Sequence, residues 1–219
     1  MLTYEEIKKS AAIKTYITRA DESLAALGFT EHSFSHVIHV AETAGYILQT
    51  LGFDARTIEL AKIAGYLHDI GNLVNRKDHS QSGAVMAWSI LNDMGCDPGE
   101  MATIVTAIGN HDEGTGVPVN AVAAAMILAD KSDVRRSRVR NKDISTFDIH
   151  DRVNYSVKQS VLKINEDKTL VTLNLSVDTK YGSVMDYFEI FTQRMLLCRK
   201  AAEKLGLKFT LIINEQQVI

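Results

Sequence analysis

The chain has 219 residues, 46% of them hydrophobic and 23% charged, and its 24 Lys and Arg against 27 Asp and Glu leave a formal net charge of -3. That length suits one good-sized domain, or one domain with a small appendage, and the even charge balance speaks against a protein that holds nucleic acid mainly by neutralising phosphates. Ala121 to Ala129 is the longest stretch without a polar residue, about half of the roughly 20 needed to cross a bilayer, so neither nucleic acid nor membrane is an expected partner.

In chain order, Met1 to Lys9 is acidic and amphipathic rather than basic and then apolar, so the expectation is a cytoplasmic protein. From Glu5 to about Leu27, Ile7, Ala11, Ile13, Tyr16, Ile17 and Leu24 recur at helical spacing, which predicts a helix or helix pair ending at Gly28. Ser33 to Leu51 repeats the pattern with Val37, Val40, Ala41, Ala44, Ile47 and Leu48, and Gly52 offers a left-handed C-cap. Asp54 caps the next segment, where Ile58, Leu60, Ala61, Ile63, Ala64 and Leu67 make a helix apolar on most sides, hence buried. A polar loop, 72–78, precedes a helix from His79 to about Met94. Pro98 starts another that ends near Gly109. After a glycine-rich loop, Ala121 to about Lys131 is the most apolar helix. Cys96 and Cys198 lie far apart in apolar stretches and read as core residues of a reducing compartment.

Residues 132–154 are polar and highly charged and read as a linker or boundary. Beyond them the period changes to two: Val171, Leu173, Leu175 and Val177 alternate with Thr172, Asn174 and Ser176, a half-buried strand. Tyr155 to Ile164 is its hairpin partner, Val184 to Leu205 a long amphipathic helix, and Lys208 to Asn214 a last strand. The expected architecture is therefore mainly α, a helical domain over 1–150 followed by a small α+β (β-β-α-β) appendage over 151–219. That appendage could pack on the core, cover a cavity or form the surface of a homo-oligomer.

Six of the seven histidines precede residue 112. His-Asp pairs occur at His68-Asp69, His111-Asp112 and His150-Asp151, where about half an occurrence is expected by chance, so context decides. His150-Asp151 falls in the polar segment and reads as a solvated pair. His68-Asp69 ends an apolar helix, where two adjacent polar groups are costly to bury unless bonded or bound to a metal. His36, His79, His111 and Asp130 also stand at or near apolar helical surfaces. Any one of these histidines alone reads as a core residue bonded to a carbonyl; the six groups together suit a borderline-soft divalent metal.

His36-x-x-x-Val40-Ala41, Leu67-His68-Asp69-Ile70-Gly71, His79-Ser80-x-x-Gly83-Ala84, Asn110-His111 and Leu128-Ala129-Asp130-Lys131, in this order, resemble the HD-domain superfamily of metal-dependent phosphohydrolases over about residues 30–135. The resemblance implies an all-helical core in which His36, His68, Asp69 and Asp130 hold one metal. Asp69 would bridge to a second, completed by His79 and His111. Mn, Fe, Ni, Zn and Mg are not distinguished by this donor set. The sequence departs from the family in two places. Asn72 replaces the lysine found there in many members, which passes any role of that lysine to Arg76 or Lys77. The segment Asn110 to Gly116 is similar to the cyclic-dinucleotide-cleaving HD-GYP group but lacks its second adjacent histidine and its Gly-Tyr-Pro triplet. His32, one turn before His36, and Asp133 are expected to support the ligands, and His39 to be a surface or packing residue.

The implied function is phosphohydrolase action on a phosphomonoester or phosphodiester of a small molecule such as a nucleotide, with His68 and Asp69 at the centre of catalysis. Two ions about 3.5 to 4 Å apart would acidify a bridging water, and the resulting hydroxide is the expected nucleophile. Cations after Asp130, above all Lys131 and Arg135, are expected to meet the developing negative charge. Two other readings share the ligand pattern: a mixed-valence diiron oxygenase resembling myo-inositol oxygenase, and a ligand-sensing or interaction protein that retains its metal.

Overall fold

A computed structural model describes all 219 residues. Nine α-helices precede and accompany one four-stranded sheet. The predicted N-terminal pair is α1 (Tyr4–Lys9), closed by a reciprocal Thr3–Glu6 capping box, and α2 (Ala11–Ala26), capped by Ser10. Ser33 caps α3 (Phe34–Leu51), which stops at Gly52 in the left-handed region, φ 88°, where a side chain would be strained. Asp54 accepts from two backbone N–H groups at the start of α4 (Ala55–Leu67), and Asp97 does the same for α6 (Pro98–Gly109). Between them a short 3-10 turn, Ile70–Leu73, leads to α5 (His79–Asp93).

The centre of the molecule is α7 (Ala121–Ser132), in which every residue except Ala121 is buried. It packs against α3, α4 and α6 on one side and against a later helix, α9 (Val184–Lys204), on the other. Five alanines among its first nine residues keep it thin enough for that many neighbours.

The C-terminal unit follows the predicted order. The strands β1 (Val157–Ile164) and β2 (Leu170–Val177) pair antiparallel, and α9 crosses over so that β3 (Lys208–Ile213) lies parallel to β2. A two-residue strand, β4 (Gln216–Gln217), adds to the edge. It is too short and too polar to show a period. One hydrophobic core runs through the whole chain, joining Val40, Leu67 and Ala124 to Leu173, Phe191 and Leu211.

The polar segment after α7 is not a free linker. Arg138 is buried, donating to the carbonyls of Glu31 and Asp133, and Arg136 donates to the Tyr155 carbonyl while its guanidinium lies over the Tyr155 ring at 4.3 Å. Arg140 bonds Asp21. Composition read the segment as a linker or boundary, whereas its arginines pair across the fold. The segment ends in α8 (Ile149–Ser156), within which residue 150 falls. No helix is long and apolar enough to cross a membrane.

Candidate metal centre

Six donors from five places in the fold meet at one point. His36 lies in the first turn of α3, His68 is the C-cap of α4 with Asp69 next, His79 opens α5, His111 follows the end of α6, and Asp130 sits in the last turn of α7. The C-terminal ends of α4, α6 and α7 thus converge, and their unbonded carbonyls make the place electronegative before any side chain is counted.

Asp69 divides the cluster. Its Oδ2 lies 3.5 Å from His36 Nε2 and 3.3 Å from His68 Nε2, and Asp130 Oδ1 lies 3.4 and 3.7 Å from the same two nitrogens. Asp69 Oδ1 faces the other way, 3.4 Å from His79 Nε2 and 3.9 Å from His111 Nε2. Donors about 2.1 Å from a shared ion in tetrahedral array stand roughly 3.4 Å apart, so both sets have the spacing of a coordination shell.

Each histidine has its other nitrogen engaged. Nδ1 of His68, His79 and His111 faces the carbonyls of Gly65, Arg76 and Ile108 at 2.8, 3.0 and 2.6 Å, and His36 Nδ1 faces Asp133 Oδ2 at 2.8 Å. Carbonyls only accept, so Nδ1 carries the proton and the four Nε2 lone pairs point into the cluster. Nε2 of His36 and His68 are buried with no hydrogen-bond partner, and Nε2 of His79 and His111 face each other at 3.1 Å. The two orphaned lone pairs stay unsatisfied, and the facing pair has only Arg76 Nη1, 3.4 Å from His79 Nε2, against its repulsion, unless a metal cation lies among them. The residues therefore fit a divalent metal.

The ionisation pattern agrees. Burial opposes charge on His68, but Asp69 and Asp130 outweigh it and raise its pKa to about 10. That proton occupies the lone pair a metal would take. Burial and then the neighbouring cationic groups His68 and Lys131 push His111 well below the ordinary histidine value. Asp69 and Asp130 are held well below the carboxylate range: burial opposes their charge, and His68 next to Asp69 and Lys131 next to Asp130 lead the groups that overcome it.

Beside the cluster is a cavity of about 510 Å³, which none of the six donors lines and which neighbours of theirs border. His32 lines it, packs edge-on to His36 at 5.4 Å between ring centroids and bonds the Thr30 carbonyl. Arg76 lines it as well, donating to Asn72 Oδ1 at 3.2 Å and standing 3.4 Å from His79 Nε2. Asn72 Nδ2 in turn donates to Asp69 Oδ1 at 3.0 Å, so the residue in place of the family's lysine orients the Asp69 carboxylate and steadies Arg76.

The other expected cations are placed differently. Lys131 is buried between Asp130 and Glu113, Arg135 pairs with Asp133 and Ser35, and exposed Lys77 is not part of the cavity wall. Arg138, one of the cations after Asp130, does line it, and so do two residues that the sequence did not single out, Arg194 and Glu113. His150 and Asp151, read as a solvated pair, stand at its α8 rim. Glu113 had one available signal, its place two residues after His111; nothing local marks Arg194.

A model of the HD domain matches residues 33–152, more than half of the chain. The chain belongs to the HD domain family. Among proteins similar in sequence, an uncharacterized protein of Methanocaldococcus jannaschii is 24% identical over 192 residues, 77% of this chain and 74% of that one. Ribonuclease Y of Lawsonia intracellularis is 36% identical over 108 residues, 48% of this chain and 18% of the enzyme. Ribonuclease Y of Bacillus pumilus is 28% identical over 119 residues, 54% and 21%. The chain thus spans about a fifth of the length of these ribonucleases. The crystal structure of a predicted HD superfamily hydrolase from an uncultured Thermotogales bacterium aligns with TM-score 0.47 and 26% identity over 62% of this chain and 75% of that one. Membership places this HD domain protein in a superfamily of metal-dependent phosphohydrolases.

Asp133 gives a direct check on the metal-binding half of this arrangement. Asp133→Asn keeps an acceptor for His36 Nδ1 but removes its charge, and manganese affinity measured by titration calorimetry is expected to fall by about tenfold.

Proposed function

We propose that this HD domain protein hydrolyses the phosphoester bond of a small phosphorylated molecule, a nucleotide in size and character, using two divalent ions. The observation that carries the reading is the convergence of the six donors next to a cavity of about 510 Å³ whose wall includes Arg76, 3.4 Å from His79 Nε2, together with Arg138 and Arg194. That volume is in the range of small-ligand pockets. His36, His68, Asp69 and Asp130 would hold one ion, and Asp69, His79 and His111 the other. Bound there, the metal supplies Lewis-acid polarisation of a phosphoryl oxygen and an acidified water.

The chain's own groups do the rest. Arg76, beside His79, reaches a phosphoryl oxygen at the cavity floor by a charge-assisted bond. Asn72 keeps Asp69 aimed, and Asp133 keeps His36 in the tautomer that offers Nε2. Phe29, 41% exposed on the cavity wall, offers a ring face for a base. No side-chain nucleophile is needed: both cysteines are buried, and burial pushes the Cys198 thiol up to about 12.

The test is phosphate or alcohol release from a panel of nucleotides and phosphodiesters with added manganese, on protein purified without oxygen. A short RNA belongs in the panel because ribonuclease Y, by its name, acts on RNA. Hydrolysis that disappears in His68→Ala is the expected result. An iron-loaded protein that consumes oxygen and leaves every phosphoester intact overturns the reading in favour of an oxygenase.

A further inference from the structure

The α+β unit returns one cation to the metal-binding helices. Arg194, near the middle of α9, forms part of the cavity wall, and its Nε donates to Glu113 Oε1 at 3.0 Å. Glu113 Oε2 lies 3.3 Å from Lys131 Nζ. Lys131 Nζ lies 2.7 Å from Asp130 Oδ2, while Asp130 Oδ1 faces His36 and His68. Four alternating charges therefore run from the C-terminal unit to a metal-type ligand.

Arg194 is fixed at more than one point. Its guanidinium lies over the Phe191 ring at 4.1 Å, which sets its plane, and Glu113 sets its position. Its terminal Nη atoms meet no protein acceptor and open to the cavity. Once the charge of Asp130 is committed to a metal, Lys131 and Arg194 share the single carboxylate of Glu113, which leaves positive charge at the cavity end. Two carboxylates also stand in the cavity wall, at the start of α8: Asp148 caps the helix backbone and Asp151 accepts from Asn141.

Resting on the phosphohydrolase reading, we propose that Arg194 is a substrate-binding residue that grips an anionic group of the substrate. Glu113 is the positioning residue that, through Lys131 and Asp130, holds that guanidinium at a set place relative to the metal ligands. The α+β unit is then a working wall of the site.

The experiment is calorimetric titration of the manganese-loaded full chain with inorganic phosphate, beside manganese affinity and steady-state kinetics, for wild type, Arg194→Gln, Arg194→Lys and Glu113→Gln. Arg194→Gln is expected to weaken phosphate binding and raise KM by roughly tenfold or more, with manganese affinity unchanged. Arg194→Lys recovers part of the loss, and Glu113→Gln shows a smaller loss in the same direction. Arg194→Lys also serves as the informative variant if the glutamine form does not fold. Phosphate binding equal to wild type in Arg194→Gln overturns the proposal, as does wild-type protein that binds no phosphate. If no phosphoester is hydrolysed but phosphate binding still depends on Arg194, the hydrolase reading falls and this one stands. Hydrolysis with unchanged KM in Arg194→Gln does the opposite: the role of Arg194 falls and the hydrolase reading stands.

Discussion

Asp69→Ala is expected to remove metal from both halves of the cluster at once and to lower phosphoester hydrolysis by about a thousandfold. The two oxygens of its carboxylate face different sets of donors. Its Oδ2 serves His36 and His68, and its Oδ1 serves His79 and His111. The loss is visible without an activity assay. Manganese at a hundredfold excess over its dissociation constant stabilises a folded protein by about 2.7 kcal/mol, which for a chain of this size is roughly 5 to 10 °C in unfolding temperature. Wild type should show that rise by scanning calorimetry, and Asp69→Ala should not. A variant that still binds manganese with wild-type affinity and stoichiometry would overturn the assignment of Asp69 as a ligand to both sets.

The second large effect lies one turn away and involves no ligand atom. Gly71 sits where the turn after His68-Asp69 meets α5, and a Cβ there would stand 2.0 Å from the His79 carbonyl oxygen and 2.4 Å from the Gly83 nitrogen. Both are backbone atoms, so no rotamer change relieves the overlap; the turn and the start of α5 must separate. Gly71→Ala is expected to destabilise the fold by about 3 kcal/mol or more, roughly 6 to 12 °C in unfolding temperature. Because the separation draws His79 away from Asp69, manganese affinity should fall too. Gly52→Ala, strained only at an exposed cap, is the contrast: it should lower stability modestly and leave manganese binding as it is in wild type.

Helix ends were the most legible part of this fold, because a cap is a single residue with a single job. Ser33, Gly52, Asp54 and Pro98 mark boundaries in the sequence and stand at those boundaries in the structure. The six donors were legible for a related reason. Polar groups at apolar helical positions are expensive, and the structure brings all six together. What orients them was not legible: the carbonyls of Gly65, Arg76 and Ile108 hold three of the four imidazoles, and a carbonyl oxygen leaves no mark on composition or spacing.

Cations were harder for a different reason. Lys131 and Arg135 lie close to Asp130 along the chain, and both are close in space to the ligands or their supports. Proximity did not show that Glu113 and Asp133 already hold them. Arg194 is 81 positions from its partner Glu113, and only the crossover of α9 over α7 brings the two together. The charges of residues 132–154 posed the same difficulty, since a paired arginine and a solvated one look alike in composition.

The thin central helix has a thermodynamic meaning of its own. Alanine has no rotamers to lose, so the run that carries Asp130 through α7 surrenders little side-chain freedom when the chain folds and has none left to surrender later. Asp130 is mounted on a buried helix with few rotamers of its own to rearrange. Metal capture then requires little local reordering, and the same rigidity means that an extra methylene anywhere along α7 is transmitted to the ligand instead of being absorbed by its neighbours.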